Sequence, residues 1–143
     1  MQKHTDMKIK ISLIMICLQA VMLIQAQEPD ITGDWTMYEM TWATGDNANT
    51  TTEDQLKAEE MFTDYFIMPD GKLNLVSNMT GSGNTENMEG TWKLEGDKLT
   101  FTLNMEGNQM DIVWDFEFKG DAIHLQRTSP DGSTSVVNSF KRK

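Results

Sequence analysis

The sequence predicts an all-β domain, an eight-stranded antiparallel up-and-down β-barrel with one short helix between its first and second strands. Three observations predict this fold class. Apolar and polar residues alternate with period two over most of the chain after residue 32, short turn sequences separate the alternating segments, and only one segment has helical character. Eight such strands can close into a barrel whose interior holds packed side chains or one small molecule.

The first 26 residues have the features of a cleavable secretory signal peptide. Lys3, Lys8 and Lys10 supply positive charge, and residues 11–24 form an almost entirely apolar run. This run is too short to cross a hydrocarbon core of about 30 Å, which needs about 20 residues. We therefore expect this segment to direct export to a periplasm or to the exterior, and not to anchor the protein.

A small residue, Ala26, marks the expected cleavage site, so residues 27–143 should form the mature domain. The alternative is a lipoprotein, which would need a cysteine directly after a small residue at the end of the apolar run. Cys17 lies in the middle of that run. The sequence therefore favours cleavage after Ala26.

Charge and cysteine content narrow the classes of function. The chain has a net charge of −10, and removal of residues 1–26, which hold three lysines and one aspartate, makes it −12. Such a domain repels phosphate backbones and anionic lipids, so we expect no nucleic-acid partner and no stable membrane insertion after cleavage. The single cysteine lies in the signal segment, which leaves the mature domain without disulfides. The sequence identifies no protein partner.

The clearest strand pattern is a hairpin formed by residues 99–105 and 109–118. Apolar and polar residues alternate in both arms, with Val113 the one apolar residue in the outward phase, and Glu106-Gly107-Asn108 supplies the turn. Turn sequences such as Pro69-Asp70-Gly71 keep the other connections short, which favours an antiparallel meander. The same alternation predicts six further strands, at about 33–43, 62–68, 72–79, 89–95, 121–128 and 134–142.

The longest connection, residues 45–61, contains the predicted helix. Thr50 and Glu53 have the spacing of a capping box, and residues 53–61 are good helix formers. If the first strand runs from the closed end of the barrel to its mouth, this helix lies over the mouth. Leu56 and Met61 would then cap the opening.

Two G-x-W motifs, each at a predicted strand, relate the chain to a known family. Gly33-Asp34-Trp35 opens the first strand, and Gly90-Thr91-Trp92 precedes a G-D-x-L turn at residues 96–99. The ordered set resembles the bacterial lipocalin-like domain family of calycin-type β-barrels. The resemblance implies a barrel with a closed base and an open mouth that holds a small apolar molecule. The helix after the first strand is more like the lid of fatty-acid-binding proteins than the C-terminal helix of typical lipocalins.

The resemblance also implies a structural plug at the base of the barrel. In an even-stranded meander the last strand closes antiparallel to the first, which brings Arg142 beside Trp35. Lipocalins stack an arginine on the G-x-W tryptophan, and we expect the same here, with Gly33 and Gly90 as the structural glycines of the two motifs. The alternative is that Arg142 belongs to a frayed basic tail.

Large inward-facing apolar residues define the predicted ligand site. Trp92 and Met110 are expected near the mouth, and Phe101 and Trp114 near mid-barrel. Aromatic and methionine side chains offer flat or adaptable apolar surfaces, but they could equally fill the interior. The predicted site consists of Met37, Trp92, Phe101, Met110, Trp114 and Phe116.

The sequence indicates no catalytic residues, no metal site and no cofactor. His124, the only histidine of the predicted mature domain, should face solvent, where it cannot join a nucleophile and an orienting acid. Asp111, Asp115 and Glu117 alternate along one outer face, which is typical of a solvated surface and lacks the pattern of a calcium loop.

We interpret the protein as an exported, non-enzymatic lipocalin-like barrel that binds a small hydrophobic ligand in its interior. The alternative is a filled barrel that acts through its acidic exterior as a cell-envelope or extracellular protein-interaction module. An enzyme that uses the cavity as an active site is disfavoured, because inward positions offer few acids, no cysteine and no histidine.

Overall fold

The structure, a computed structural model, describes residues 29–143, so the predicted signal segment of residues 1–26 and its cleavage site lie outside the described residues. Residues Ile31–Lys143 form one compact unit. The elements in chain order are β1 (Gly33–Thr44), β2 (Asn47–Thr51), α1 (Glu53–Ala58), β3 (Phe62–Ile67), β4 (Lys72–Asn78), β5 (Glu86–Glu95), β6 (Lys98–Met105), β7 (Asn108–Lys119), β8 (Ala122–Thr128) and β9 (Thr134–Arg142).

Eight strands close into an antiparallel barrel, which confirms the predicted fold class. Strands β3 to β9 pair in chain order, and β1 pairs with both β3 and β9 to complete the ring. The short β2 stays outside the ring and pairs with the second half of β1. This strand was not predicted, because its residues 47–51 read Asn-Ala-Asn-Thr-Thr and show no apolar alternation.

Packed side chains fill the closed end and the middle of the barrel. The Tyr65 ring lies 4.9 Å from the Phe101 ring and 4.7 Å from the Phe140 ring, measured between centroids. These residues come from β3, β6 and β9, which do not pair with one another, so the contacts join separate parts of the wall. Further side chains that are almost completely buried are Ile31, Leu73, Leu99, Leu103, Ile123 and Leu125.

At the closed end, Trp35 and Arg142 join the first strand to the last. The two are register partners, and the guanidinium carbon lies 4.4 Å from the centroid of the fully buried indole. The indole N–H donates to the Ile31 carbonyl at 2.9 Å, and Arg142 Nη1 donates to the Thr32 carbonyl at 2.8 Å. Gly33 has φ +127°, and a Cβ there would lie 2.5 Å from Arg142 Nη1. The predicted stack is therefore present, and glycine gives it room.

The second G-x-W motif lies at the same closed end. A Cβ on Gly90 would collide with the backbone oxygen of Thr102, so glycine permits the close approach of β5 and β6. The Trp92 indole N–H donates to the Met68 carbonyl at 2.8 Å, and its backbone N–H donates to the Gly71 carbonyl at 2.9 Å. The expected position of Trp92 near the mouth is wrong, because β5 begins three residues earlier than predicted and Trp92 falls in its second half.

The helix α1 has its cap two residues later than predicted. Thr52 is the N-cap residue, and its backbone N–H donates to Gln55 Oε1 at 2.9 Å. Thr50 lies in β2, where its hydroxyl is 2.9 Å from that of Thr41. The predicted box of Thr50 with Glu53 is therefore wrong, since Thr50 is held in a strand ladder.

The helix is shorter than predicted because Glu60 ends it. Glu60 adopts a left-handed conformation with φ +55°, and the Met61 N–H donates back to the Leu56 carbonyl at 2.8 Å. This is the hydrogen-bond pattern of a Schellman motif. Within residues 29–143, no helix is long and apolar enough to cross a membrane.

The helix is fixed against the barrel by one buried and one charged contact. Leu56 is buried in the hydrophobic core, and Glu53 pairs with Lys141 of β9 at 2.7 Å. Hydrogen bonds from Lys141 and Lys57 lower the pKa of Glu53 to about 2. The helix also contacts β1. The Glu53–Lys141 ion pair lies toward the C-terminal end of β9, which is the end that carries Arg142.

A β-bulge in β1 changes which side chains face the interior. The register between β1 and β9 shifts after Met37, which leaves Tyr38 as the extra residue. Trp35 and Met37 point inward before the bulge, whereas Met40 and Trp42 share the inward phase after it. Strict alternation counted from Trp35 places Trp42 on the outside. The inserted residue reverses the phase of the strand, and Trp42 therefore faces inward.

We predict that Trp35→Ala lowers the free energy of unfolding by about 3–5 kcal/mol, because it empties a buried site and removes the stack with Arg142. Trp42→Ala, in the same strand but 50% exposed, should cost less than about 1 kcal/mol. Denaturant unfolding followed by circular dichroism measures both. Equal losses for the two variants would contradict the assignment of Trp35 to the barrel plug.

Candidate functional site

The barrel is open at the end opposite the Trp35–Arg142 plug. A cavity of about 430 Å³ lies there, bounded by β1, β7, β8, β9 and the β8–β9 loop. Cavities of about 300–1,000 Å³ are typical of small-molecule sites. Its lining consists of Trp42, Trp114, residues 127–130 and residues 134–136.

Strand register brings three lining side chains into one row. Trp42 of β1 pairs with Val136 of β9, and Val136 pairs in turn with Arg127 of β8. Ile123 and Leu125, which precede Arg127 with the same parity, are completely buried. Arg127 therefore continues the inward row of β8 to the rim of the barrel, where its side chain is exposed.

Trp114 is the only buried residue of this lining within the described chain. It pairs with Leu99 of β6 and belongs to the hydrophobic core, so it forms the inner limit of the cavity. Its indole N–H is buried and has no hydrogen-bond partner among residues 29–143. An unpaired buried donor costs about 1–3 kcal/mol.

The loop between β8 and β9 is held in place by Asp131. The carboxylate accepts hydrogen bonds from Ser129 Oγ at 2.5 Å, from Ser133 Oγ at 2.8 Å and from the Ser133 N–H at 3.0 Å. These bonds lower the pKa of Asp131 from 3.8 to about 2, the Ser129 hydroxyl contributing most. Ser129 Oγ also accepts from the Thr134 N–H at 3.0 Å. One side of the cavity is thus pre-formed by its own polar contacts.

The structure separates the six residues of the predicted ligand site. Trp114 lines the cavity. The other five do not line it: Met37, Phe101 and Phe116 lie in the packed core, Met110 is exposed near the start of β7, and Trp92 is at the closed end.

Sequence reasoning missed Trp42 and Arg127 as lining residues. The bulge hid Trp42, since alternation counted from Trp35 places it outside. Arg127, in contrast, follows Ile123 and Leu125 at the same parity, so alternation contained the information. A charged residue that follows a row of apolar residues is usually taken to mark the end of the buried face. At the mouth of a barrel, however, a residue in this position lies beside the opening.

His124 and Asp115 lie on the outer face of the barrel. His124 pairs in register with Glu117 and Ser139, and burial, with a smaller effect of Lys119, lowers its pKa. Asp115 forms an ion pair with Lys98. Within the described part of the chain, no group of three or more His, Cys, Asp or Glu side chains could hold a metal ion.

The barrel is similar to solved structures of other proteins. A lipocalin-like protein from Bacteroides uniformis ATCC 8492 matches with a TM-score of 0.53 at 12% identity, over 80% of this chain and 100% of that chain. An uncharacterized protein from Bacteroides eggerthii DSM 20697 matches with a TM-score of 0.49 at 16% identity, over 80% and 100%. A point mutant of the fluorescent protein UnaG matches with a TM-score of 0.41 at 12% identity, over 79% and 96%.

No protein-family model matches the chain, and no curated protein sequence matches it. The likeness to the Bacteroides uniformis protein, at this identity, concerns the fold. The chain therefore has a lipocalin-like fold, as its G-x-W motifs predicted.

We predict that the Asp131 carboxyl titrates near pH 2 and that Ser129→Ala raises its pKa, because the strongest hydrogen bond to the carboxylate is lost. A carboxylate with a lowered pKa stabilises the loop fully at neutral pH. This contribution declines as pH falls from about 4 toward 2. Carboxyl carbon NMR measures the titration, and Ser135→Ala, which removes a hydroxyl that does not contact Asp131, should leave it unchanged. A normal Asp131 pKa in the wild type would contradict the loop geometry.

Proposed function

We propose that this protein is an exported binding protein that takes a small hydrophobic molecule into the open end of its barrel. The observation that carries the proposal is the cavity of about 430 Å³ beside Trp42, Trp114 and Val136. Burial of apolar surface contributes about 25 cal/mol per Å². A ligand with a flat or flexible apolar body therefore gains most from this site.

The proposed position is the mouth and not the middle of the barrel. On the closed-end side of Trp114 the interior is occupied by buried side chains such as Phe116 and Leu125. A guest there would have to displace a packed core, which is costly. The mouth requires no such displacement, and the half-exposed Trp42 in its lining favours an apolar guest.

Binding is proposed in preference to catalysis because the lining, as far as the chain is described, lacks a paired nucleophile and base. Among the described residues, no histidine lines the cavity to activate the hydroxyl groups of Thr128, Ser129, Thr134 and Ser135. Ser129 donates to Asp131 outside the lining, and this carboxylate is a weak base because its pKa is lowered to about 2. Because a lipocalin-like fold is compatible with many functions, it is the residues of the lining, and not the fold, that favour binding.

A titration with phenylnaphthylamine, a neutral apolar probe, tests the proposal. Trp42→Ala should weaken binding about fivefold, because an aromatic contact is worth about 0.5–1.5 kcal/mol. Val113→Ala removes an apolar side chain of nearly equal exposure, 48%, that does not line the cavity, and should bind like the wild type.

Native mass spectrometry of protein purified from its own host complements this titration, and a co-purifying small molecule is expected. Bare protein, together with no response to a panel of fatty acids, sterols and aromatic probes, would contradict ligand binding. The filled barrel that acts as an interaction module would then replace the proposal.

Export is supported by the three lysines and the apolar run of residues 1–26. We predict that the exported protein begins at Gln27, which intact-mass measurement of secreted or periplasmic protein determines. A mass that retains residues 1–26 would contradict cleavage. A lipidated species that begins at Cys17 would instead make the protein an anchored lipoprotein.

A further inference from the structure

We infer that the ligand is an organic anion, an apolar body that carries one carboxylate-type or sulfonate-type headgroup, and that Arg127 binds this headgroup at the mouth. The inference rests on the proposed function, because it concerns the ligand of the same cavity. It specifies the ligand class and the residue that selects it.

The charge of the lining favours an anionic headgroup. Among the described residues, Arg127 is the only charged one that lines the cavity, and no Asp or Glu lines it. The planar guanidinium can bind a carboxylate or sulfonate through two parallel hydrogen bonds. An anionic headgroup at the rim would meet Arg127, while the apolar body of the ligand contacts Trp42 and Trp114.

The guanidinium of Arg127 has no partner within the described residues. Between residues 29 and 143, Arg127 is the one lysine or arginine side chain without an ion pair, a hydrogen bond or a ring contact. The seven lysines of this range all pair with carboxylates. Arg142, the other arginine of the chain, stacks on Trp35 and donates to Thr32. The guanidinium of Arg127 is therefore available to a ligand.

The charges around the mouth differ in sign from those of most of the surface. The chain has a net charge of −10, so most of its surface repels anions. The carboxylate of Asp131 does not line the cavity, since hydrogen bonds from Ser129 and Ser133 hold it within the loop. Arg127 is thus the one charged side chain of the described residues that a headgroup in this cavity contacts directly.

Hydroxyl groups beside Arg127 complete the headgroup site. Thr128, Thr134 and Ser135 line the same cavity, and each hydroxyl can donate a hydrogen bond to an anion oxygen. Carboxylate side chains of the described chain, which would compete with the ligand for these donors, are absent from the lining. The polar part of the lining thus suits an anion better than a cation.

Two fluorescent probes with the same ring system test this inference in the full-length mature protein. Anilinonaphthalene sulfonate is anionic, and phenylnaphthylamine is neutral. Arg127→Gln should weaken the anionic probe about tenfold, as expected for loss of a charge-assisted hydrogen bond, and the neutral probe less than about twofold. Arg127→Lys keeps the charge but loses the planar fork, so its affinity for the anionic probe should be intermediate.

Lys93→Gln is the matched control, because it changes the net charge equally on the outside of β5, where Lys93 pairs with Glu95. It should leave both probes unaffected. Arg127 is exposed and has no partner within residues 29–143, so its variants should keep the wild-type thermal midpoint. Decanoate should displace the anionic probe at a lower concentration than decanol does.

Equal weakening of both probes by Arg127→Gln, unchanged binding of the anionic probe, or stronger displacement by decanol would each overturn the inference and leave the proposed function intact. Failure of the wild type to bind either probe would overturn the proposed function, and the inference with it.

Discussion

The stack of Arg142 on Trp35 is the contact on which the barrel depends, because it ties the first strand to the last. A meander of eight strands exposes two edges unless its ends pair, and here β1 and β9 pair from Trp35 to Thr44. Gly33 leaves room for the stack, since a Cβ there would lie 2.5 Å from Arg142 Nη1. The following residue, Lys143, extends the seam through a 2.6 Å ion pair with Asp64 of β3. Closure at this end leaves the opposite end as the opening of the barrel.

The four tryptophans of the chain divide between these two ends. At the closed end, Trp35 and Trp92 each donate the indole N–H to a backbone carbonyl, at 2.9 and 2.8 Å. At the open end, Trp42 is half exposed and the buried indole N–H of Trp114 has no partner among residues 29–143. The indole N–H groups of the two tryptophans that hold the closed end together are thus hydrogen-bonded. The indole N–H of Trp114, where we propose that a ligand binds, is not.

The barrel combines the two arrangements that the sequence left open. Side chains such as Phe101 fill its closed end and middle, as in a filled barrel, whereas the cavity at its mouth is large enough for a small molecule. The bulge at Tyr38 contributes to this division, because it turns Trp42 toward the interior beside the cavity. The two arginines follow the same division, with Arg142 in the plug and Arg127 at the rim.

Eight barrel strands, their order and the closure of β1 on β9 could be predicted from the sequence, because a strand with one buried face leaves a local record in its alternating residues. The G-x-W motifs likewise identified the stack of Arg142 on Trp35. The tertiary structure alone decided the pairing of β2, the position of α1, the depth of Trp92 and the inward phase of Trp42. Each of these depends on a partner far away in the chain or on one inserted residue, and neither leaves a periodic pattern in the sequence.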